Sequence, residues 1–317
     1  MPSWHSILEE IRKRGGTHDA VRREYLAKLY RLTGRNAIVY YSGWLQKPGI
    51  PGSQVNDADK NGFMTAIHQL DRSKGLDLIL HTPGGETAAT ESLVDYLHSM
   101  FGTNIRAIVP QIAMSAGTMI ACACREIVMG KHSSLGPIDP QFGSIPAHGV
   151  IEEFKRAHAE IKADPSKIPV WQPIIAKYAP TLIGECEKAI KWSVDMTREW
   201  LLRGMLAGKP DAAAKADAIL SELADHALTL SHARHLSAAK CRSLGLEVIM
   251  LEDDQKLQEA VLSVHHALIH TLSATGAYKV IENHRGVAFI QLAQAVVIQG
   301  PAGQQQAIGE LTTRYDT

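Results

Sequence analysis

Leu76-Asp77-Leu78-Ile79-Leu80-His81-Thr82-Pro83-Gly84-Gly85 is a short apolar run that breaks into a Pro-Gly-Gly turn. An apolar run of this length bounded by turn residues fits a buried strand. Pro83 fixes its own φ, and the two glycines permit backbone angles closed to other residues, so the chain turns sharply there. Outward from this point, Glu86 to Met100 reads as a helix and Ile105 to Pro110 as a second strand. Met114-Ser115-Ala116-Gly117-Thr118 then sits at the next strand-to-helix turn, ahead of a helix of small residues, Met119 to Cys124. Ile127-Val128-Met129 is a third strand, and Ser133 to Gln141 an extended loop. Strand, helix, strand, helix, strand at this spacing predicts βαβ units and a largely parallel sheet, an α/β fold.

The flanks complete the pattern. Residues 3 to 33 carry apolar positions at helical spacing around Gly15-Gly16, which predicts two helices. Ala37 to Tyr41 is a β-rich run, Gly43 to Asn61 a loop, and Phe63 to Leu70 has helix character. Val150 to Asp225 reads as mostly helical, broken at Asp164-Pro165 and Ala179-Pro180. Leu228-Thr229-Leu230 is a weak strand, Ser237 to Ser243 a helix closed by Gly245, Val248 to Leu251 a strand, and Gln255 to Thr275 a helix. The tail after Gly300, with Gln304, Gln305 and Gln306, reads as loosely ordered.

The chain has 317 residues, 33 Lys plus Arg against 33 Asp plus Glu, and 45% hydrophobic residues. This is the composition of a globular chain with a sizeable core. The balanced charge gives no sign of nucleic-acid binding, which needs clustered cations. No stretch has the length of a membrane span, and Met1 to Gly16 is too polar for a signal peptide. Four cysteines form neither a disulfide framework nor a zinc spacing, so a reduced, cytoplasmic protein is expected. His266 and His270 stand at i and i+4 without a metalloprotease carboxylate motif, so they and His232 and His235 are expected to lie on a helix surface or in subunit packing; no metal and no cofactor is expected. Trp171, Trp192 and Trp200 are expected to anchor packing or subunit contacts.

The chemistry-bearing features are the Pro83-Gly84-Gly85 turn and Ser115 with its small neighbours. Taken together, the N–H groups of Gly85 and Ala116 would form an oxyanion hole beside the Ser115 hydroxyl. Either alone is a weak signal, because most serines at helix starts are caps.

These segments resemble the ClpP/crotonase superfamily and, within it, the signal-peptide-peptidase-A-like serine peptidases. The group most similar is the serine dehydrogenase proteinase family, which is proteinase-like despite its name. The resemblance rests on Tyr41-Ser42-Gly43-Trp44, Gly75 to Gly85, Met114 to Thr118, Gly136-Pro137-Ile138-Asp139-Pro140-Gln141 and Ile281-Glu282-Asn283-His284, and spans about residues 36 to 290. It implies a ββα superhelix of ClpP/crotonase type. N-terminal helices (1–35) would precede a core (36–254) with a helical insertion at about 150–225, followed by a C-terminal helical extension and tail (255–317). It also implies a serine endopeptidase acting through an acyl-enzyme on Ser115, with Gly84, Gly85 and Ala116 binding the oxyanion and Asp139 and Gly117 lining the site.

Asp139 stands where ClpP has its catalytic His, and Ala233 where ClpP has its Asp, which argues against a Ser-His-Asp triad. The signal-peptide-peptidase branch uses a Ser-Lys dyad. Lys155 and His148 rank equally as the base here, with Lys162, Lys167 and Lys177 further on. Relatives form rings or face-to-face assemblies, so a homo-oligomer acting on peptide or protein substrates is expected, with room for an unfoldase or regulatory partner. The insertion would roof the site or build subunit contacts. Two other readings stand beside this one: a catalytically inactive oligomeric scaffold or binding protein, and an acyl-CoA enzyme of crotonase type.

Overall fold

A computed structural model describes residues 3–143, 145–224, 233–299 and 305–316. The strand and the histidine expected at Leu228–Leu230 and His232 lie outside the described residues.

One sheet organises the chain. Strands β1 (Asn36–Ser42), β2 (Leu76–His81), β3 (Ile105–Val109), β5 (Glu126–Met129) and β10 (Val248–Met250) form its parallel part. Strands β11 (Ala277–Asn283), β12 (Ala288–Gln299) and β13 (Gln305–Asp316) continue it antiparallel from the β1 edge. The order is β10-β5-β3-β2-β1-β11-β12-β13. All residues of β1 and β2 are buried, as expected of parallel strands covered on both faces.

Alternation along the strands feeds two cores. Ile38, Tyr40, Leu78, Leu80, Ala107 and Val109 face α3 (Ala58–Ile67), α4 (Thr87–Phe101), α5 (Ala116–Cys122) and the helices of the insertion. Val39, Tyr41, Ile79, Ile108 and Val128 face α2 (His18–Thr33) and the long C-terminal helix, Gln255–Ala274. Helix α1 (Trp4–Lys13) packs outside α2 through Ile7, Ile11 and Val21. The insertion comprises α6 (Ala147–Ala163), α7 (Ile168–Ile175), α8 (Leu182–Arg203) and α9 (Ala212–Leu223), broken at the expected prolines. A helix over Ala238–Ser243, here α10, precedes β10, which makes Gln255–Ala274 helix α11.

The C-terminal region differs from the expected helical extension and loose tail. After α11 it forms three strands, and the Gly/Gln segment contributes β13, paired with β12 from Asp316 to Gln305. The apolar alternation of β11 is masked by Lys279 and Glu282, both fully buried. Each is tolerated there because a distant residue neutralises it: Asp59 for Lys279, Arg22 for Glu282.

A second, small sheet stands at the C-terminal ends of the parallel strands. It joins β4 (Ile112–Ala113), β6 (Ser134–Leu135) and β9 (Leu236–Ser237), while β7 (Gln141–Phe142) pairs separately with β8 (Ile145–Pro146). Thr82 bridges to Ala113 at its edge, which carries the chain beyond β2 into register with the chain beyond β3. Open parallel sheets bind ligands at this end.

Candidate active site

Two turns meet there. Beyond β2, Thr82 N–H donates to Ile112 O (3.2 Å) and Met114 N–H donates to Thr82 O (3.0 Å). Gly84 follows at φ +97, and a Cβ there would lie 2.6 Å from Ser115 Cβ and 2.8 Å from Met114 O. No side chain fits between the two turns.

Gly85 is confined from the other side. Val55, in the segment expected as a loop, donates its N–H to Gly84 O (2.8 Å) and accepts from Glu86 N–H (2.9 Å). A Cβ on Gly85 would stand 2.3 Å from Val55 O. These bonds leave the Gly85 N–H without an acceptor among the described residues.

Ser115 caps α5 with φ 49 and ψ −115, a left-handed conformation that a non-glycine residue adopts at a cost of about 1–3 kcal/mol. Strain of this kind marks sites where structure holds a group for function. The helix therefore starts at Ala116, three residues before the expected start, because the serine itself makes the turn. The Ala116 N–H, like that of Gly85, has no acceptor among the described residues, and the Ser115 hydroxyl has no hydrogen-bond partner among them. Gly117 allows the close packing: a Cβ would approach Thr82 Cγ2 to 2.6 Å. Thr118 Oγ1 ties the turn to the next loop, donating to Ala113 O (2.9 Å) and accepting from Gly136 N–H (2.9 Å).

Ser115, Gly84 and Gly85 line a cleft of about 880 Å³. Glu185, Lys188, Ala189 and Trp192 of α8, in the insertion, line it as well. Lys188 pairs with Glu185 at 3.0 Å, and the Trp192 indole N–H reaches Glu91 at 3.3 Å. Trp192 thus faces the cleft, whereas Trp171 and Trp200 are buried in packing. Met119, Ile138 and Phe142 supply apolar surface.

The structure brings Ser115, Gly84, Gly85, Ala116 and Gly117 together. Asp139 is fully buried between two residues of the cleft wall, Ile138 and Pro140. His148 lies in the first turn of α6, one residue beyond Ala147, whose N–H donates to Pro140 O (2.9 Å). Lys155 is exposed two turns further along, about 10 Å up the helix axis. Neither His148 nor Lys155 is among the residues that line the cleft. Sequence reasoning missed Gln54, Val55, Lys188 and Trp192. A backbone partner such as Val55 has no local signature, and the helical periodicity of α8 does not say which face meets the site.

His266 and His270 both lie against the Trp4 ring, and His270 Nε2 is 3.1 Å from Trp4 O. Among the described residues no cluster of three or more His, Cys, Asp or Glu side chains is arranged to hold a metal ion. No helix among them is long and apolar enough to cross a membrane.

A mixed α/β sheet whose Gly-Gly turn abuts a strained serine at a strand-to-helix turn is consistent with the ClpP-like class of proteins. Within that class, the chain belongs to the family of ClpP-like SDH-type serine proteinases, whose model matches residues 43–259. It is similar to two uncharacterized proteins of Methanocaldococcus jannaschii. One is 38% identical over 117 residues, covering 37% of this chain and 40% of the relative. The other is 31% identical over 190 residues, covering 60% of this chain and 57% of the relative. The matches thus span about half the length of these relatives.

Proposed function

We propose that this protein is a serine endopeptidase that cleaves peptide bonds through an acyl-enzyme on Ser115. The observation that carries the reading is the strained Ser115 set against Gly84, with the Gly85 and Ala116 N–H groups both lacking an acceptor among the described residues. Ser115 Oγ attacks the substrate carbonyl carbon while the two N–H groups receive the charge that develops on its oxygen. The C–N bond then breaks, the proton taken from Oγ passes to the leaving amine, and water hydrolyses the ester. The base is proposed to come from α6: Lys155 would make a Ser-Lys dyad, and His148, which lies nearer the cleft, needs no large pKa shift. Assembly of several copies belongs to this reading, since α7 exposes Ile168 and Val170 (45% and 62%). The four cysteines are buried free thiols, which fits the cytoplasmic location we propose.

A second reading, an inactive scaffold or binding protein, is favoured by one observation: among the described residues no titratable side chain hydrogen-bonds the Ser115 hydroxyl.

Intact mass after treatment with a fluorophosphonate separates the two. Attack of Oγ on phosphorus forms the P–O bond, releases fluoride and passes the hydroxyl proton to the base. One adduct on the wild type that is absent from Ser115→Ala supports the peptidase. An adduct that Lys155→Ala or His148→Ala abolishes, with folding retained, identifies the base. Folded wild type that stays unlabelled supports the scaffold.

A further inference from the structure

The Gly85 turn leans on a backbone wall, Gln54-Val55-Asn56, and that wall is held by one buried ion pair. Lys279 Nζ, on β11, donates to Gln54 O (2.8 Å) and to Asp59 Oδ1 (2.6 Å). Asp59 Oδ2 accepts from Asn56 N–H (3.0 Å) and from the Tyr40 hydroxyl (2.7 Å). Val55 is therefore fixed on both sides, its predecessor by the ammonium and its successor by the carboxylate. Thr82, just beyond β2, holds the turn from its other side, its Oγ1 accepting the Gly84 N–H (3.2 Å). The wall meets the Gly84–Gly85 peptide through the Val55 N–H, which donates to Gly84 O (2.8 Å).

Stability alone does not account for this arrangement. The Lys279 and Asp59 side chains are 0% and 1% exposed, and an apolar pair of similar volume is often as stable as such an ion pair. What an apolar pair does not supply is direction: four hydrogen bonds that tie the Gln54-Val55-Asn56 wall to β1 and β11. We propose that Lys279 and Asp59, acting through the Gln54-Val55-Asn56 wall, are positioning residues that hold the Gly85 N–H where an oxyanion donor is needed. The inference rests on the peptidase reading above.

The test uses the full chain carrying Asp59→Asn with Lys279→Met, which removes both charges together and leaves an acceptor for Tyr40. Two readouts are taken: the kinact and KI of a fluorophosphonate probe, and amide exchange of the segment 83–87. The expected result is a kinact roughly 10- to 100-fold lower with KI unchanged, together with faster exchange at Glu86, whose N–H binds Val55. A purely structural role would lower the melting temperature and leave kinact per folded molecule as it was, which overturns the proposal. If the wild type does not label, the peptidase reading fails by itself and exchange at Glu86 decides whether the clamp exists: unchanged exchange overturns it. Tyr40→Phe removes the hydroxyl that donates to Asp59 without removing a charge, so a double variant that fails to fold leaves this one to decide, with a several-fold lower kinact expected and an unchanged value overturning the inference.

Discussion

Gly84→Ala tests the closeness of the two turns, and Gly102→Ala is its control. Both glycines have positive φ, +97 and +59. A Cβ on Gly102 meets no atom within 4 Å, whereas one on Gly84 would press on Ser115 Cβ at 2.6 Å and on Ala116 N at 2.9 Å. The backbone strain of placing alanine in the left-handed region is about 1–2 kcal/mol in either case. Overpacking adds about 1–3 kcal/mol at Gly84 only. Gly102→Ala should therefore lose about 1 kcal/mol and Gly84→Ala about 3 kcal/mol. For 317 residues unfolding cooperatively, 1 kcal/mol corresponds to about 1.5 °C, so the melting temperature should fall by about 2 °C and about 5 °C respectively. The functional effect should be larger than the stability effect. Relief of the contact moves Ser115 or Ala116 N–H, and loss of one oxyanion donor lowers rates by about 10²–10³. Scanning calorimetry and fluorophosphonate labelling of both variants measure the two effects. Labelling of Gly84→Ala at the wild-type rate, or equal stability losses in both variants, would refute the reasoning.

Thr118→Val should lose about 2–4 kcal/mol, because it orphans the buried Ala113 carbonyl and Gly136 N–H; urea unfolding measures it. Asp77→Asn should lose about 3–5 kcal/mol, since Arg35 and Arg106 both pair with this fully buried carboxylate, at 2.7 Å each; the denaturation midpoint reads the change. Burial pushes the His81 imidazole from 6.5 down to about 3, so the unfolded chain binds the proton that the folded chain refuses. The stability that this neutral ring contributes is complete above about pH 6.5 and falls as pH drops toward 3, by about 2 kcal/mol between pH 6.5 and 5. Unfolding of wild type and His81→Phe at pH 7 and pH 5 should show that the variant loses about 2 kcal/mol less; parallel losses would contradict it.

The parallel half of the sheet was legible because its signals are local. Leu76 to Leu80 and Ile127 to Met129 are apolar runs closed by turn residues, and the prolines at 165 and 180 mark the breaks in the helical insertion. Pro83-Gly84-Gly85 and the small residues around Ser115 likewise declare sharp turns and close approach from composition alone. The C-terminal strands were hidden by Lys279 and Glu282, which interrupt an apolar alternation and become burial-compatible only through partners 220 and 260 residues away.

By itself, then, the chain's order of residues determined the βαβ progression, the two turns and the serine that one of them carries, since each depends on φ/ψ limits and apolar spacing within a few residues. Tertiary structure alone decided what surrounds that serine. The Val55 wall, the ion pair behind it and the Trp192 face of α8 reach the site from distant segments. Buried charges and free N–H groups acquire their energy from such non-local neighbours, because the desolvation that makes them costly or useful exists only once the core has closed.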